Sequence, residues 1–358
     1  ARQIINTINC TSPSGMLYLF HNISAASVCR TSCSCRTDDS RAQNKTAGGI
    51  SMYYFIVNPS SRSGHGKEVW QTVEEILDQE DVEYRVYFTA HRYHATKLAQ
   101  EITAQNTRLT LVAIGGDGTV NETLNGIRDF STVTFAYIPT GSGNDFARAL
   151  GLPSDTAEAV NNILHPSYFC RVDLGKAILG EQTQYFAVSC GCGFDAAICH
   201  EAFSSPVKNV LNRIRLGKLT YIATGIKQLI LCKSAPAVVI LDGHKTFRFR
   251  RTCFVTVMNC FCEGGGVRFC PSAKTDDGLL DVCVVEGLNR FLMALMFPVA
   301  LAGLHRFFPG IHLHRARSIE IQSPKRLPVH MDGEPYFLRG RVQISCIPRV
   351  LSVIAAPR

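Results

Sequence analysis

An apolar run that ends in a glycine-rich turn is the feature that most restricts how this chain can fold. Residues 112–127 read VAIGGDGTVNETLNGI, and the apolar run begins at Leu109. Glycine tolerates positive φ and lets the backbone approach a ligand closely. A helix that starts after the turn presents free N–H groups and a partial positive charge. The pattern predicts a buried strand followed by a phosphate-binding turn. The alternative is a plain strand–helix turn in which Asp117 caps the helix.

Two other segments repeat this arrangement. Residues 57–66 read VNPSSRSGHG and residues 138–148 read IPTGSGNDFAR, each at the end of a strand-like run. Ligands of open α/β sheets bind outside the carboxyl ends of the strands. Three such turns on parallel strands would meet at one crevice, so the sequence predicts a nucleotide site there. Neither the Walker pattern nor G-x-G-x-x-G is present.

Strand-like and helical segments alternate from Met52 to about residue 168. The runs 53–59, 84–90, 108–116 and 133–141 are β-rich, and 66–79, 91–105, 117–127, 144–150 and 155–164 have helical spacing. Alternation of this kind predicts an α/β domain, doubly wound and mostly parallel, with helices on both faces of the sheet. We assign residues 52–168 to this nucleotide-binding domain.

The pattern changes after about residue 168. β-rich runs at 185–195, 237–243, 245–260, 279–287, 318–323 and 341–348 are interrupted by helical stretches at 207–232 and 288–305. This pattern predicts a second, antiparallel and sandwich-like β domain over residues 169–345. Residues 346–358 form a C-terminal segment that could return to the first domain.

Residues 1–51 differ from the rest. They are rich in Ser, Thr, Asn, Cys and Arg and show no sustained periodicity. We expect this leader to be disordered or foreign to the native protein, which would then start at Met52.

Composition narrows the classes of function. The net charge is +8, of which residues 52–358 carry 32 − 27 = +5. This mild excess suits anionic nucleotides or membrane surfaces, and no nucleic-acid-binding motif accompanies it. The longest apolar run, 291–304, is too short to span a bilayer. The fifteen cysteines lack paired zinc-site spacings, which favours free thiols in a reducing, cytoplasmic compartment.

Five motifs carry a family resemblance from Met52 to the C-terminus. NPSSRSG, GGDGTVNE, PTGSGNDFAR, DDGLLD and DGE occur in the order found in the diacylglycerol kinase catalytic family. The chain resembles the bacterial diacylglycerol kinases, to which sphingosine kinases are related. It departs from the family pattern by an extra Ser-Arg before Ser63 and by Ser142 where threonine is usual.

The resemblance implies ATP and Mg²⁺ as cofactors and an ATP site at the three turns. The implied ATP-binding residues are Asn58, Pro59, Ser60, Ser61, Arg62, Thr89, Gly115, Gly116, Asp117, Gly118, Thr119, Val120, Asn121 and Ser142. Asp117 is also expected to act in catalysis, by orienting the loop or the metal that ATP carries.

Two acidic turns remain. The residues alone favour an ordinary hairpin at Asp332-Gly333, whereas the resemblance implies that Glu334 is the proton acceptor and Asp332 its partner or rival. At the other turn, the resemblance implies a separate divalent cation held by Asp277 and by the backbone carbonyls of Lys274 and Leu279. Oxygen ligands suit Mg²⁺ or Ca²⁺.

The interpretation is an ATP-dependent lipid kinase that acts on diacylglycerol. It would contact the inner face of a membrane peripherally, bind no nucleic acid, and could form a homodimer. Basic and aromatic segments at 207–231, 245–251 and 305–317 are candidate membrane surfaces or ordinary solvated faces. The alternatives are a kinase of sphingoid bases or other lipid alcohols, an NAD kinase, and a non-catalytic lipid- or nucleotide-binding regulator.

Overall fold

The computed structural model describes residues 3–4, 52–204 and 234–356. Residues 3–4 form a short strand, β1 (Gln3–Ile4), which pairs in parallel with Arg85 and Val86. The rest of the predicted leader lies outside the described residues, so its assignment stays a prediction. The predicted helix at 207–232 lies outside them too.

A parallel sheet forms the first half of the described chain. Its strands are β2 (Tyr53–Val57), β3 (Tyr84–Phe88), β4 (Leu109–Gly115) and β5 (Val133–Pro139). They lie in the spatial order β3–β2–β4–β5. The chain therefore moves from β3 back across β2 to reach β4. Such a change of direction opens a crevice at the carboxyl ends of β2 and β4.

Helices cover both faces of this sheet, as the alternation predicts. They are α1 (His65–Gln79), α2 (His94–Ile102), α3 (Asp117–Leu124), α4 (Asp145–Leu150) and α5 (Thr156–Leu164). Alternate residues of β4 enter opposite cores, with Leu111 beside α2, α3 and α4 and Val112 beside α1 and α5. Burial on both faces explains why every residue of β4 is buried.

The second half is rich in β-strands, and pairing among its own strands is antiparallel. Its strands are β6 (Tyr168–Leu179), β7 (Gln182–Phe186), β8 (Ser189–Gly193), β9 (Ala235–Leu241), β10 (Lys245–Met258), β11 (Leu280–Glu286), β12 (Ile311–Ala316), β13 (Ser318–Met331) and β14 (Glu334–Ala355). Among the residues that the structure describes, two helices accompany these strands, α6 (Phe194–Ser204) and α7 (Arg290–Leu301).

The last strand joins the two halves. β14 pairs with β13 and β6 in antiparallel fashion, and Ser352 and Val353 lie parallel to Thr134 and Phe135 of β5. All strands thus belong to one hydrogen-bonded sheet. Because β14 begins directly after Gly333, the strand that closes the sheet also positions the DGE turn.

In the second half, the sequence patterns missed two of the described strands. β6 was not predicted because Arg171, Asp173 and Lys176 leave it without a continuous apolar run, although Val172 and Leu174 are buried. β12 alternates histidines and an arginine with apolar residues, so we interpreted that segment only as a basic surface. The predicted β-rich run 245–260 ends two residues earlier than expected, at Met258, so Cys260 follows β10.

No helix among the described residues is long and apolar enough to cross a membrane. The ten cysteines in the described part of the chain form no disulfide with one another.

Candidate functional site

The three glycine- and hydroxyl-rich turns meet at the carboxyl end of the parallel sheet. The amide of Asn58, after β2, donates to Thr119 Oγ1 in the second turn (3.1 Å). The hydroxyls of Ser61 and Thr140 share a hydrogen bond of 2.6 Å, which links the first turn to the third. The backbone N–H of Thr140 donates to the carbonyl of Gly115 at 2.7 Å. These hydrogen bonds join the three turns into one side of the crevice.

Glycines at the second and third turns allow this close packing. A Cβ placed on Gly141 would lie 2.7 Å from Gly116 Cα and 2.6 Å from Asn144 Oδ1, closer than side-chain carbons approach other atoms. A Cβ on Gly118 would meet only Glu334 Oε1, at 3.7 Å. Glycine is required at residue 141 by contact, whereas residue 118 has room for a methyl group.

Asp117 joins the second turn to helix α4. Its carboxylate accepts the backbone N–H groups of Asp145 (3.1 Å) and Phe146 (3.3 Å) at the start of that helix. Burial, with repulsion from the Asp145 carboxylate, raises the pKa of Asp117 to about 6. These contacts favour the role of a loop-orienting group, because both oxygens already accept protein donors.

Asp145 extends the same network into the β-rich half. Its carboxylate accepts the backbone N–H of Gly265 at 2.7 Å and forms an ion pair with Arg148. Gly265 belongs to the loop 263–268, which contains three consecutive glycines, Gly264 to Gly266. The third turn is therefore held by both halves of the molecule.

The Asp332-Gly333 turn is a hairpin, and it also reaches the site. Asp332 and Gly333 both have positive φ (49° and 86°), as a two-residue turn between β13 and β14 requires. The Asp332 carboxylate accepts the amide of Asn121 at 2.9 Å. It also accepts the backbone N–H groups of residues 187, 188 and 189, at 2.8, 2.8 and 2.9 Å.

These four donors decide what Asp332 can do. Burial raises the pKa of the Asp332 carboxyl, while the hydrogen bonds from Ala187, Ser189 and Asn121 oppose that rise. A carboxylate whose oxygens are already bound to protein donors is a poor proton acceptor for a substrate. Asp332 is suited to hold the hairpin in place.

Glu334 is the carboxylate that faces the phosphate-binding turn. It forms an ion pair with Arg92, and its Oε1 is the nearest atom to the Cβ position of Gly118. Its side chain is 14% exposed, so solvent and a substrate can still reach it. Of the two carboxylates, the contacts favour Glu334 as the group that meets the acceptor hydroxyl.

A buried histidine steadies the hairpin from behind. The backbone N–H of Gly333 donates to His330 Nδ1 at 3.2 Å, and His330 Nε2 lies 3.5 Å from Asp195 Oδ2. Asp195, Glu263 and His330 have ligand atoms within 4.8 Å of one another, a spacing that a metal ion could use. Metal binding at Nε2 would put a proton on Nδ1, against the N–H of Gly333. The N–H of Gly333 therefore favours a histidine whose proton is on Nε2, toward Asp195, and that fixes the turn. Burial lowers the pKa of His330, but the carboxylates of Asp195 and Glu263 outweigh it and raise that pKa to about 8.

The residues predicted for the second cation have protein partners of their own. Asp277 forms an ion pair with Arg315 and accepts the N–H of Leu279 at 3.1 Å. Arg315 also donates to Asp281 at 3.1 Å. A cation held by Asp277 must compete with this guanidinium. The hydroxyl of Thr275, two residues away, is buried without a hydrogen-bond partner and is an unused oxygen beside the turn.

The remaining predicted ATP residues divide by position. Thr89 follows β3, where its N–H donates to Val57 O (2.8 Å), and Ser60, Arg62 and Ser142 are exposed at the crevice turns. The side chain of Val120 is buried in the core with Leu111, so this residue can contribute only its backbone to the predicted ATP site.

Sequence reasoning missed Arg92 and the loop 263–268. Arg92 lies 242 residues before Glu334 and carries no motif. The three consecutive glycines of the loop are visible in the sequence, but they match none of the strand-end turns and were not assigned a role. Asp145 belonged to a quoted motif without being assigned a role.

Comparison with known proteins agrees with this geometry. Residues 52–177 match the diacylglycerol kinase catalytic domain family, and residues 192–355 match the YegS C-terminal NAD kinase beta sandwich-like domain. A diacylglycerol kinase of Staphylococcus saprophyticus is 30% identical over 285 residues, 78% of this chain and 88% of that protein. A diacylglycerol kinase of Mycobacterium tuberculosis is 27% identical over 304 residues, 84% and 93% of the two chains.

Solved structures show the same fold. A diacylglycerol kinase structure from Bacillus anthracis has a TM-score of 0.62 at 23% identity and covers 86% of this chain and 97% of its own. The chain belongs to the diacylglycerol kinase catalytic-domain family, which confirms the resemblance. It is an ATP-dependent lipid kinase built as a catalytic domain followed by a β-rich domain.

We predict that Gly141→Ala forces the second and third turns apart. The added methyl group at residue 141 must push the third turn away from Gly116. The affinity for ATP, measured by calorimetry, should fall at least about tenfold, and the melting temperature should drop. Gly118→Ala is the matched control for the melting temperature, which should not change because its methyl group has room. Equal ATP affinity for parent and Gly141→Ala would show that the two turns need not touch.

The raised pKa of Asp117 predicts a pH dependence of stability. An ordinary aspartate ionises near 3.8, whereas Asp117 in the fold ionises near 6. Its contribution to stability is complete below the lower value and is lost as the pH rises through the higher one. Asp117→Asn removes this titration. The free energy of unfolding of the parent, relative to the variant, should fall by up to about 3 kcal/mol over that range.

Denaturant unfolding at a series of pH values measures this difference. Glu83→Gln, which changes an exposed carboxylate, is the control and should show no comparable trend. A parent-to-variant difference that stays constant with pH would contradict the burial of a charge at Asp117.

Proposed function

We propose that this kinase transfers the γ-phosphate of ATP to the free hydroxyl of diacylglycerol and so forms phosphatidic acid. One observation carries the proposal: Glu334, at the tip of a hairpin from the β-rich half, lies beside Gly118 of the phosphate-binding turn. A proton acceptor next to a phosphate cradle is what transfer to an alcohol needs. The relatives named diacylglycerol kinase support the choice of acceptor.

Each group of the site then has a task. Glu334 takes the proton of the lipid hydroxyl, and Arg92 orients its carboxylate. Asp332 holds the hairpin against Asn121 and the backbone of residues 187–189. Asp117 fixes the start of α4, so that free N–H groups of the turns can face the phosphates. Mg²⁺, arriving with ATP, supplies charge neutralisation of the phosphates.

The acceptor is dissolved in a membrane, so the proposal includes peripheral contact with a membrane surface. The third turn and the DGE hairpin both pack at the crevice, and an NAD kinase is not expected to carry those two motifs. The family assignment agrees with this distinction. A homodimer and a cytoplasmic location remain predictions.

We also propose a divalent cation at the acidic turn, with Asp277 as the side-chain ligand and the carbonyls of Lys274 and Leu279 as neighbours. Its support is the oxygen-rich donor set and the unpartnered hydroxyl of Thr275. Such an ion would take over the positive charge that Arg315 supplies to Asp277.

Substitutions at the DGE hairpin test the proposed mechanism. Glu334→Gln keeps the shape and removes the proton acceptor, so kcat for diacylglycerol should fall by about 10²–10⁴ while the KM for ATP barely changes. Asp332→Asn replaces one carboxylate oxygen by an NH₂ group, which then faces backbone N–H donors and cannot accept from them. The substitution should lower both kcat and the melting temperature. Glu181→Gln, in the exposed turn between β6 and β7, is the control and should have no effect.

The double substitution should be no worse than the poorer single, because the pair acts as a unit. If Glu334→Gln keeps nearly the parent's kcat, while Asp332→Asn is inactive but as stable as the parent, the two roles are reversed. If neither substitution changes kcat, the turn is a hairpin that takes no part in catalysis.

Asp277→Ala should remove the response of the protein to divalent cations. After chelation, added Mg²⁺ should raise the melting temperature of the parent and of Asp276→Ala, but not that of Asp277→Ala. Asp276 is the control because it contacts Arg349 through its backbone carbonyl, at 3.2 Å. An equal response of the two variants to Mg²⁺ would refute the ligand assignment.

A further inference from the structure

Exposed apolar side chains are concentrated on one part of the β-rich half. Among the described residues, twelve large hydrophobic side chains are exposed, and eight of them lie between Phe291 and Leu313. Phe291 is 79% exposed and Phe307 71%. We call six of these residues the apolar face: Phe291, Leu295, Phe297, Leu301, Leu304 and Phe307.

The apolar face is too large to be incidental. Its side chains expose on the order of 600 Å² of apolar surface, at the upper end of what a monomer shows, and such patches mark binding surfaces. Scattered exposed leucines would need no explanation, but these residues belong to one helix and the turn that follows it.

Helix α7 is apolar on both of its sides. Met296 and Ala300 are buried, and Met293 packs on the cluster that contains Cys253 and Phe254. The other side carries the apolar face. A helix that packs on a core with one face ordinarily presents polar residues on the other. The outer face of α7 therefore indicates a partner that is itself apolar.

The charges around the apolar face indicate which kind of partner binds there. Residues 287–319 contain four arginines and no aspartate or glutamate. The guanidinium of the exposed Arg306 lies 4.7 Å from the ring centroid of Phe307. Arg268 is exposed as well, and its N–H donates to the carbonyl of Ala300 near the end of α7 (3.2 Å). Arginine beside an apolar surface suits an anionic lipid interface.

A second copy of the chain fits this face less well. In a two-fold dimer the same patch meets itself. Arg306 and Arg268 would then face a copy of the same basic patch, which has no acidic residue within 287–319. Like charges brought together in this way weaken association.

The apolar face also adjoins the reaction site. The loop 263–268 touches helix α4 at one end, where Gly265 donates to Asp145 (2.7 Å), and α7 at the other, through Arg268. A lipid surface that covered α7 would thus lie next to the loop that supports the third turn.

We propose that the apolar face, with Arg268 and Arg306 at its rim, is the surface by which this protein docks on an anionic bilayer. Only the choice of a lipid as the partner rests on the proposed function. On docking, the phenylalanine and leucine side chains enter the acyl-chain boundary while the arginines contact lipid phosphates.

Vesicle flotation tests the proposal without ATP or diacylglycerol. The parent should bind vesicles of phosphatidylcholine and phosphatidylglycerol (3:1) more tightly than vesicles of phosphatidylcholine alone. Phe291→Ser/Phe307→Ser should lower the partition coefficient at least about tenfold. Phe169→Ser/Phe337→Ser removes two exposed phenylalanines elsewhere and should change it by less than about twofold. Arg306→Glu should remove most of the preference for the anionic vesicles.

Each outcome has one meaning. If Phe291→Ser/Phe307→Ser binds vesicles as the parent does, the proposal is wrong. If the parent is dimeric by sedimentation, and the serine variant is monomeric but still binds vesicles, the apolar face is an interface between two copies of the chain. Melting temperatures check that the variants fold, and Arg306→Glu provides a second test if the serine variant does not.

Kinase assays with water-dispersed dioctanoylglycerol separate this proposal from the proposed function. The serine variant should keep the parent's kcat there, because that acceptor needs no bilayer. If the protein binds vesicles through the apolar face but phosphorylates no diacylglycerol, the docking surface is supported and the proposed acceptor is wrong.

Discussion

The Asp332 carboxylate is the constraint on which the site depends. It accepts the amide of Asn121 from the first half of the chain and three backbone N–H groups at residues 187–189 from the second. A buried carboxylate is stable only when donors replace its lost water. The donors come from two sequence-distant segments, so satisfying Asp332 requires that both halves already be assembled. The position of the hairpin, which brings Glu334 to the phosphate-binding turn, is therefore set when the two halves assemble during folding.

The same logic applies on the other side of the crevice. Asp117 and Asp145 are buried carboxylates that tie the second turn to the third and the third to the loop 263–268. Polar networks of this kind are costly when incomplete and rigid when complete. Close contact between Gly116 and Gly141 leaves room only for backbone, so the second and third turns pack directly against each other. A rigid arrangement of this sort suits phosphoryl transfer, which depends on pre-organised groups.

The sequence was sufficient to predict the parallel sheet and its site edge because those features are local. Hydrophobic periodicity gave the strands and helices of residues 52–168, and glycine turns marked the strand ends. The Arg92–Glu334 ion pair could not be predicted, since no local pattern relates residues 242 positions apart. The roles of Asp332 and Glu334 stayed open for the same reason: which carboxylate is bound by backbone donors depends on where β6 to β8 pass. β6 was itself missed because Arg171, Asp173 and Lys176 leave it without a continuous apolar run.

The central claim is transfer of phosphate from ATP to diacylglycerol. The most direct measurement supplies ATP labelled at the γ-phosphate to the full chain with one acceptor at a time in mixed micelles: diacylglycerol, sphingosine, an undecaprenol-type alcohol or phosphatidylglycerol, with NAD in a parallel reaction. Our account predicts that diacylglycerol gives the highest kcat/KM and that the label appears in phosphatidic acid. Preferential labelling of another lipid would contradict the proposed acceptor, and labelling of NAD without any lipid would contradict the account as a whole.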